Sequence, residues 1–323
     1  LSDIFYKAPW PRGPVENLGP ADRCIYCGKK PPEVDLTREH IIADGLGGDL
    51  VYLRASCTCC AKHTNKFESH VINSEFQFAR GVVGVRSRKR KSRPLTARIE
   101  YADDGELADL PLANAAPFML ALPISDNLPG ILTGAAPKDA QKSFQLGMFG
   151  QRDWNPVALK WVGRPAHYKT SYYGHMGVLG QVIAKTAHAY ACAKLGPDAF
   201  TPFLTGYILA NEPPFDAHLM GIHDSHDVGM SELHFLTINL ASVPRWTVVG
   251  PVVERVYVVG MRFFANRPTP SFIAVVGRPI GAPALGVPAF GGLIPNPHTA
   301  GRTPARSQAT RSRGRRLGPD APS

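Results

Sequence analysis

Cys24-Ile25-Tyr26-Cys27, Leu36-Thr37-Arg38-Glu39-His40-Ile41-Ile42, Gly45-Leu46-Gly47-Gly48-Asp49 and Cys57-Thr58-Cys59-Cys60 follow one another near the start of the chain. Cys24/Cys27 and Cys57/Cys60 are both C-x2-C pairs, a spacing that turns two thiolates towards one ion, and two such knuckles complete a tetrahedral four-cysteine zinc site. About thirty residues separate the pairs, so the ion holds together the two ends of an insert. A closed shell of four thiolates has no open position for substrate, and this zinc is structural. Cys59 is an alternative fourth ligand to Cys60, although C-x-C suits the knuckle turn less well. Five of the six cysteines lie in this region, and in a chain read as cytosolic such clustering points to metal rather than disulfides.

The insert carries the chemistry. Cys24-x2-Cys27, Glu39-His40 followed by two isoleucines, the Gly47-Gly48 loop, Ala55-Ser56-Cys57-x2-Cys60 and Thr64-x2-Phe67-Glu68 together resemble the HNH endonucleases of the ββα-metal superfamily, over about residues 21–80. The resemblance implies a hairpin whose first strand holds Glu39-His40, a glycine loop at 44–49, a return strand at 50–54 and a helix after the second knuckle. Residues 61–80 have helical spacing, with Phe67, Val71, Ser74 and Phe78 on one stripe.

The resemblance also implies roles. His40 is the general base that takes a proton from water, a task suited to an imidazole whose ordinary pKa is about 6.5. Glu39 is a ligand for Mg2+ or another divalent cation, which neutralises charge developing on the phosphate. Asp49 falls where the family has its middle Asn and orients His40. Many members carry Asn or His directly after the last cysteine as a second ligand; here that residue is Ala61, leaving Asn65 or His63 to serve and His70 as a weaker candidate. Neighbouring strand residues point to opposite faces, so Glu39 and His40 share a site only where the strand is irregular or ends.

The net charge is +10 and is unevenly placed. Arg86, Arg88, Lys89, Arg90, Lys91 and Arg93 form one basic block, and Arg302, Arg306, Arg311, Arg313, Arg315 and Arg316 form another near the end, on an otherwise near-neutral chain. Such blocks suit a polyanion partner. The first follows the insert and is expected to lie along DNA phosphates, giving affinity without base reading.

Outside the insert, residues 176–195 read as a helix: Leu179, Ile183, Ala187, Ala191 and Leu195 recur every four residues, Gln181, Lys185 and His188 fall on the other face, and Gly196-Pro197 ends it. Cys192 on this helix reads as a small buried apolar residue. Runs at 233–240, 256–264 and 272–276 read as strands, the last two flanking a turn as a hairpin. Asp216, His218, His223, Asp224, His226 and Asp227 read as a polar loop rather than a metal site. No apolar run is long enough for a membrane span.

The expected fold is α+β: an extended lead-in at 1–20, a zinc-stapled ββα-metal (HNH) domain at 21–80, a basic arm at 81–95, a second mixed α+β domain of unknown role at 96–280 and a disordered basic tail at 281–323. The expected function is DNA phosphodiester hydrolysis with structural Zn2+ and catalytic Mg2+ or a related ion. The rival is a zinc-dependent nucleic-acid-binding protein that does not cleave. A third reading has residues 96–280 restrain the nuclease. Phage, mobile-element and bacterial defence settings all use the resembled family.

Overall fold

The computed structural model describes residues 5–9, 12–85, 96–111, 119–124, 128–140, 145–150, 166–168, 175–223, 230–247, 250–267, 269–283 and 287–288. The strands are β1 Phe5–Ala8, β2 Glu16–Leu18, β3 Leu36–His40, β4 Leu50–Cys57, β5 Thr96–Tyr101, β6 Leu107–Pro111, β7 Met119–Ile124, β8 Gln145–Gly150, β9 Ala166–Tyr168, β10 Phe200–Pro202, β11 Met220–His223, β12 His234–Thr247, β13 Gly250–Phe263 and β14 Ser271–Pro279. The helices are α1 Thr58–Asn73, α2 Gln77–Val83, α3 Gly130–Thr133, α4 Pro137–Ala140, α5 Met176–Leu195 and α6 Thr205–Leu209. The fold is mixed α+β.

The knuckles and insert form a small lobe. β3 and β4 pair antiparallel, β2 adds to β4 in parallel, and α1 leaves β4 directly at Cys57. The helix expected at 61–80 is two helices. Near the break, the Asn73 side chain donates to the Ser69 carbonyl, and the Ser74 hydroxyl and backbone N–H both reach the His70 carbonyl. Side chains that compete for last-turn carbonyls favour a helix end.

β12, β13 and β14 form an antiparallel sheet extended by β1, β10 and β11. The strands at 233–240, 256–264 and 272–276 fall on β12, β13 and β14, each longer than its sequence run, and β13 pairs with β14 as expected of the hairpin. The lead-in is woven into two of the four sheets among the described residues: Phe5–Ala8 pairs with β12, far along the chain, and Glu16–Leu18 pairs with β4.

Residues 1–290 form one compact unit. Ile41, Leu46, Phe67, Val71 and Phe76 of the lobe share a hydrophobic core with Leu179, Ile183, Tyr190, Phe263 and Phe264. The boundaries drawn from sequence at 80 and 96 therefore do not coincide with a gap in the packing. α5 lies inside this core, buried on every face over most of its length. The polar face read from sequence does not meet water: Gln181, Lys185 and His188 are 3 %, 0 % and 1 % exposed. The basic block 86–93, residues 289–323 and Asp224, His226 and Asp227 lie outside the described residues. No helix among the described residues is long and apolar enough to cross a membrane.

Candidate active site

The sulfurs of Cys24, Cys27, Cys57 and Cys60 all lie within 4.8 Å of one another, the one group among the described residues arranged to hold a metal ion. Four sulfurs each about 2.3 Å from a zinc ion stand about 3.8 Å apart. Cys27 and Cys57 meet that edge length, with sulfurs 3.8 Å apart. Cys57 is also the N-cap of α1, its sulfur accepting from the Cys60 backbone N–H at 3.4 Å, which is why the knuckle and the helix start coincide. Cys60 belongs to the cluster, whereas Cys59 is exposed outside it. A hydrogen bond from Cys60 draws the Cys24 thiol down to about 4, and the same bond pushes Cys60 up. One thiol of the cluster is thus ready to be a thiolate, the form that binds metal.

The glycine loop is fixed by close contacts. Gly48 packs so tightly that a Cβ there would stand 2.2 Å from the Ile42 carbonyl oxygen. Gly47 takes a φ of 93° at the end of a 3-10 turn, Asp44–Leu46. Arg12 reaches across, pairing with Asp44 at 2.9 Å and donating to the Gly48 carbonyl. Asp49, next in the chain, is buried and accepts a hydrogen bond from the Tyr6 hydroxyl on β1; burial raises its pKa.

His40 ends β3, opposite Val51 of β4, and is partly buried. The register shifts between Thr37 and Glu39, so the strand is irregular just ahead of the acidic residue. Glu39 points into the interior, where its carboxylate meets Lys185 of α5 at 2.6 Å. Glu68 of α1 meets the same ammonium at 2.7 Å. Lys185 also donates to the backbone carbonyls of His40 and of Ile41, the latter at 3.3 Å. Burial works against the charge on Lys185, but the carboxylates of Glu39 and Glu68 outweigh it and the net shift is upward. Glu68 is raised, chiefly by burial, against the pull of Lys185. A fully buried lysine is held charged by two carboxylates and two carbonyl oxygens, leaving the group with one negative charge in excess when both acids are ionised.

The other candidate ligands go elsewhere. His63 donates from Nε2 to the Ile208 carbonyl at 3.1 Å, and that carbonyl also accepts from Gln181 of α5 at 3.2 Å. Asn65 is exposed, its side-chain oxygen facing the Ser69 hydroxyl. The His70 ring packs edge-on against His175. Asp216 caps its own turn through the N–H groups of His218 and Leu219, whereas His223, read from sequence as part of the same polar loop, ends β11 opposite Ser271. As they stand, Glu39, Ala61, His63 and Asn65 do not assemble a seat for a divalent cation, because the charge beside Glu39 is already an ammonium.

The sequence shows Glu68 in the motif and Lys185 on a helix face but gives neither a place in the site. Glu68 follows Ala61 by seven residues, two helical turns on the same face. Gln181, Lys185 and His188 are likewise spaced by four and three, and all three bond outward from α5: Gln181 to the Ala210 and Ile208 carbonyls, Lys185 to the lobe, and His188 to the Ile25 carbonyl inside the first knuckle at 2.7 Å. The helix is a keel whose polar stripe grips the backbone of the segments packed on it.

Residues 24–76 match the family model for HNH endonuclease, a segment within the 21–80 stretch that carries the resemblance. A search of curated proteins and a search of solved structures gave no match.

Proposed function

We propose that this protein is an HNH-type endonuclease that hydrolyses phosphodiester bonds in DNA. The observation that carries this reading is the match to the HNH endonuclease model over a lobe with four clustered sulfurs, a strand ending at Glu39-His40 and a tightly turned glycine loop. Zinc on Cys24, Cys27, Cys57 and Cys60 ties the two ends of that lobe together. His40 accepts the proton of the attacking water, and Asp49 helps to fix the local geometry through its bond to Tyr6. The negative end of the site is Glu39, with Glu68 of α1 beside it, while Asn65 and His63 are turned to other partners. A divalent cation supplies charge neutralisation on the phosphate in such chemistry. The basic block at 86–93 holds the DNA backbone.

A second reading, a zinc-dependent nucleic-acid-binding protein that does not cleave, is favoured by two observations: Glu39 is engaged by Lys185, and residue 61 is alanine. Supercoiled plasmid incubated with Mg2+ or Mn2+ separates the two. Nicking or linearisation by wild type that is lost in His40→Ala supports the nuclease. Plasmid retention on a gel without cutting by either protein overturns it in favour of the second reading.

A further inference from the structure

We propose that Lys185 is a resident cation that competes with a divalent metal ion for Glu39 and Glu68, so that the central helix of the fold restrains the HNH lobe. The inference rests on the reading of Glu39 as the cation end of the site, and concerns what controls it.

Four oxygen donors surround the Lys185 ammonium: one carboxylate oxygen each from Glu39 and Glu68, at 2.6 and 2.7 Å, and the carbonyls of His40 and Ile41. Carboxylates and backbone carbonyls are what a hard divalent cation takes as ligands. The donors come from β3, from the residue after it and from α1, the elements on which the resemblance puts the metal. The cation comes from α5, 145 residues away from His40 in sequence.

Charge favours exchange. Two ionised carboxylates against one ammonium leave a net negative charge in a largely buried place, whereas one divalent ion balances both. Lys185 and a divalent ion cannot both stay, because like charges a few ångströms apart in a low-dielectric interior repel strongly. Metal binding at Glu39 therefore requires the lysine to withdraw, and its cost in lost ion pairs weakens the ion's apparent affinity. The same exchange loosens α5 from the carbonyls of His40 and Ile41, so binding of the cation and release of the strand end that carries His40 are coupled.

The test reads metal, not cleavage. Mn2+ binding is followed by electron paramagnetic resonance for wild type, Lys185→Ala and Lys185→Ala/Glu39→Gln, each loaded with zinc and checked for folding by circular dichroism. Lys185→Ala is expected to bind one Mn2+ at least about tenfold more tightly than wild type (a difference of about 1.4 kcal/mol), and the double variant to lose that gain. Equal affinity in wild type and Lys185→Ala, or a gain that survives Glu39→Gln, overturns the proposal. Lys185→Gln replaces the alanine variant should that fail to fold. Wild type gives an independent readout. Lys185 is the fully buried lysine among the described residues, so 15N-lysine-labelled protein is expected to show one exchange-protected ammonium signal that fades as Mg2+ is added. A protected signal unchanged at saturating Mg2+ overturns the proposal as well. Absence of plasmid cutting by every variant, with the Mn2+ result as expected, removes the nuclease reading and leaves the competition standing.

Discussion

The imidazole of His234, at the start of β12, donates from Nε2 to the carbonyl of Leu46 in the glycine-loop turn at 2.9 Å, and its Nδ1 accepts from the Phe264 backbone N–H at 3.3 Å. One neutral histidine thus links the lobe to the main sheet, each ring nitrogen with a fixed role. Burial pushes its pKa down to about 4. The unfolded chain binds the proton near the ordinary value of about 6.5. Stability from this group is therefore full above pH 6.5 and is lost as pH falls towards 4, by about 3 kcal/mol in all. Urea unfolding between pH 7 and pH 4.5 is expected to show a shallower pH dependence for His234→Gln than for wild type, because the His234 contribution is gone, and a residual dependence, because His188, also held at about 4 by burial, remains in both. Identical slopes count against this account.

Removal of a zinc ion from the four-cysteine cluster is expected to act on the whole unit of residues 1–290. The knuckle cysteines Cys24, Cys57 and Cys60 lie in the same core cluster as Tyr190 and Phe263, so losing the ion does not unfold a detached module. Chelation is expected to lower a single melting transition by roughly 10 °C or more, given the binding energy of structural zinc. Elemental analysis is expected to find one zinc per chain, retained in Cys59→Ser and lost in Cys60→Ser. Two separate melting transitions after chelation would show that the lobe is independent after all.

Gly48 has no room for a side chain. Alanine there drives a methyl group into the Ile42 carbonyl, and backbone has to move. The expected destabilisation is about 1–3 kcal/mol, the usual range for overpacking. Gly19→Ala, where nothing lies within 4 Å, serves as the control and is expected to change stability little. Denaturant titration of both variants reads the difference.

The basic block predicts a salt signature. If Arg86, Arg88, Lys89, Arg90, Lys91 and Arg93 each neutralise a phosphate, replacing all six with Ser reduces the slope of log affinity against log salt by about five. Fluorescence anisotropy with a labelled duplex at several salt concentrations measures it. A slope unchanged by the substitutions assigns DNA binding to another surface.

Short-range pattern decided a good part of this molecule. The knuckle spacing, the tight Gly47-Gly48 loop and the Gly196 end of α5 are set by residues within a few positions of one another, and these the sequence displays directly, whereas the other end of α5 takes its partner from afar, the His175 N–H donating to Glu75. It is also enough for the match at residues 24–76. What needed the tertiary structure is where polar side chains go. A stripe such as Gln181, Lys185 and His188 looks the same in sequence whether it faces water or the polar groups of another segment, since periodicity reports that a face is polar and not what lies against it. Lys185 meets Glu39 and Glu68 only because distant segments close around α5 into one core, and β1 joins β12 for the same reason. Long-range pairing of this kind is chosen by the packing of the whole chain, and the local spacing of residues does not encode it.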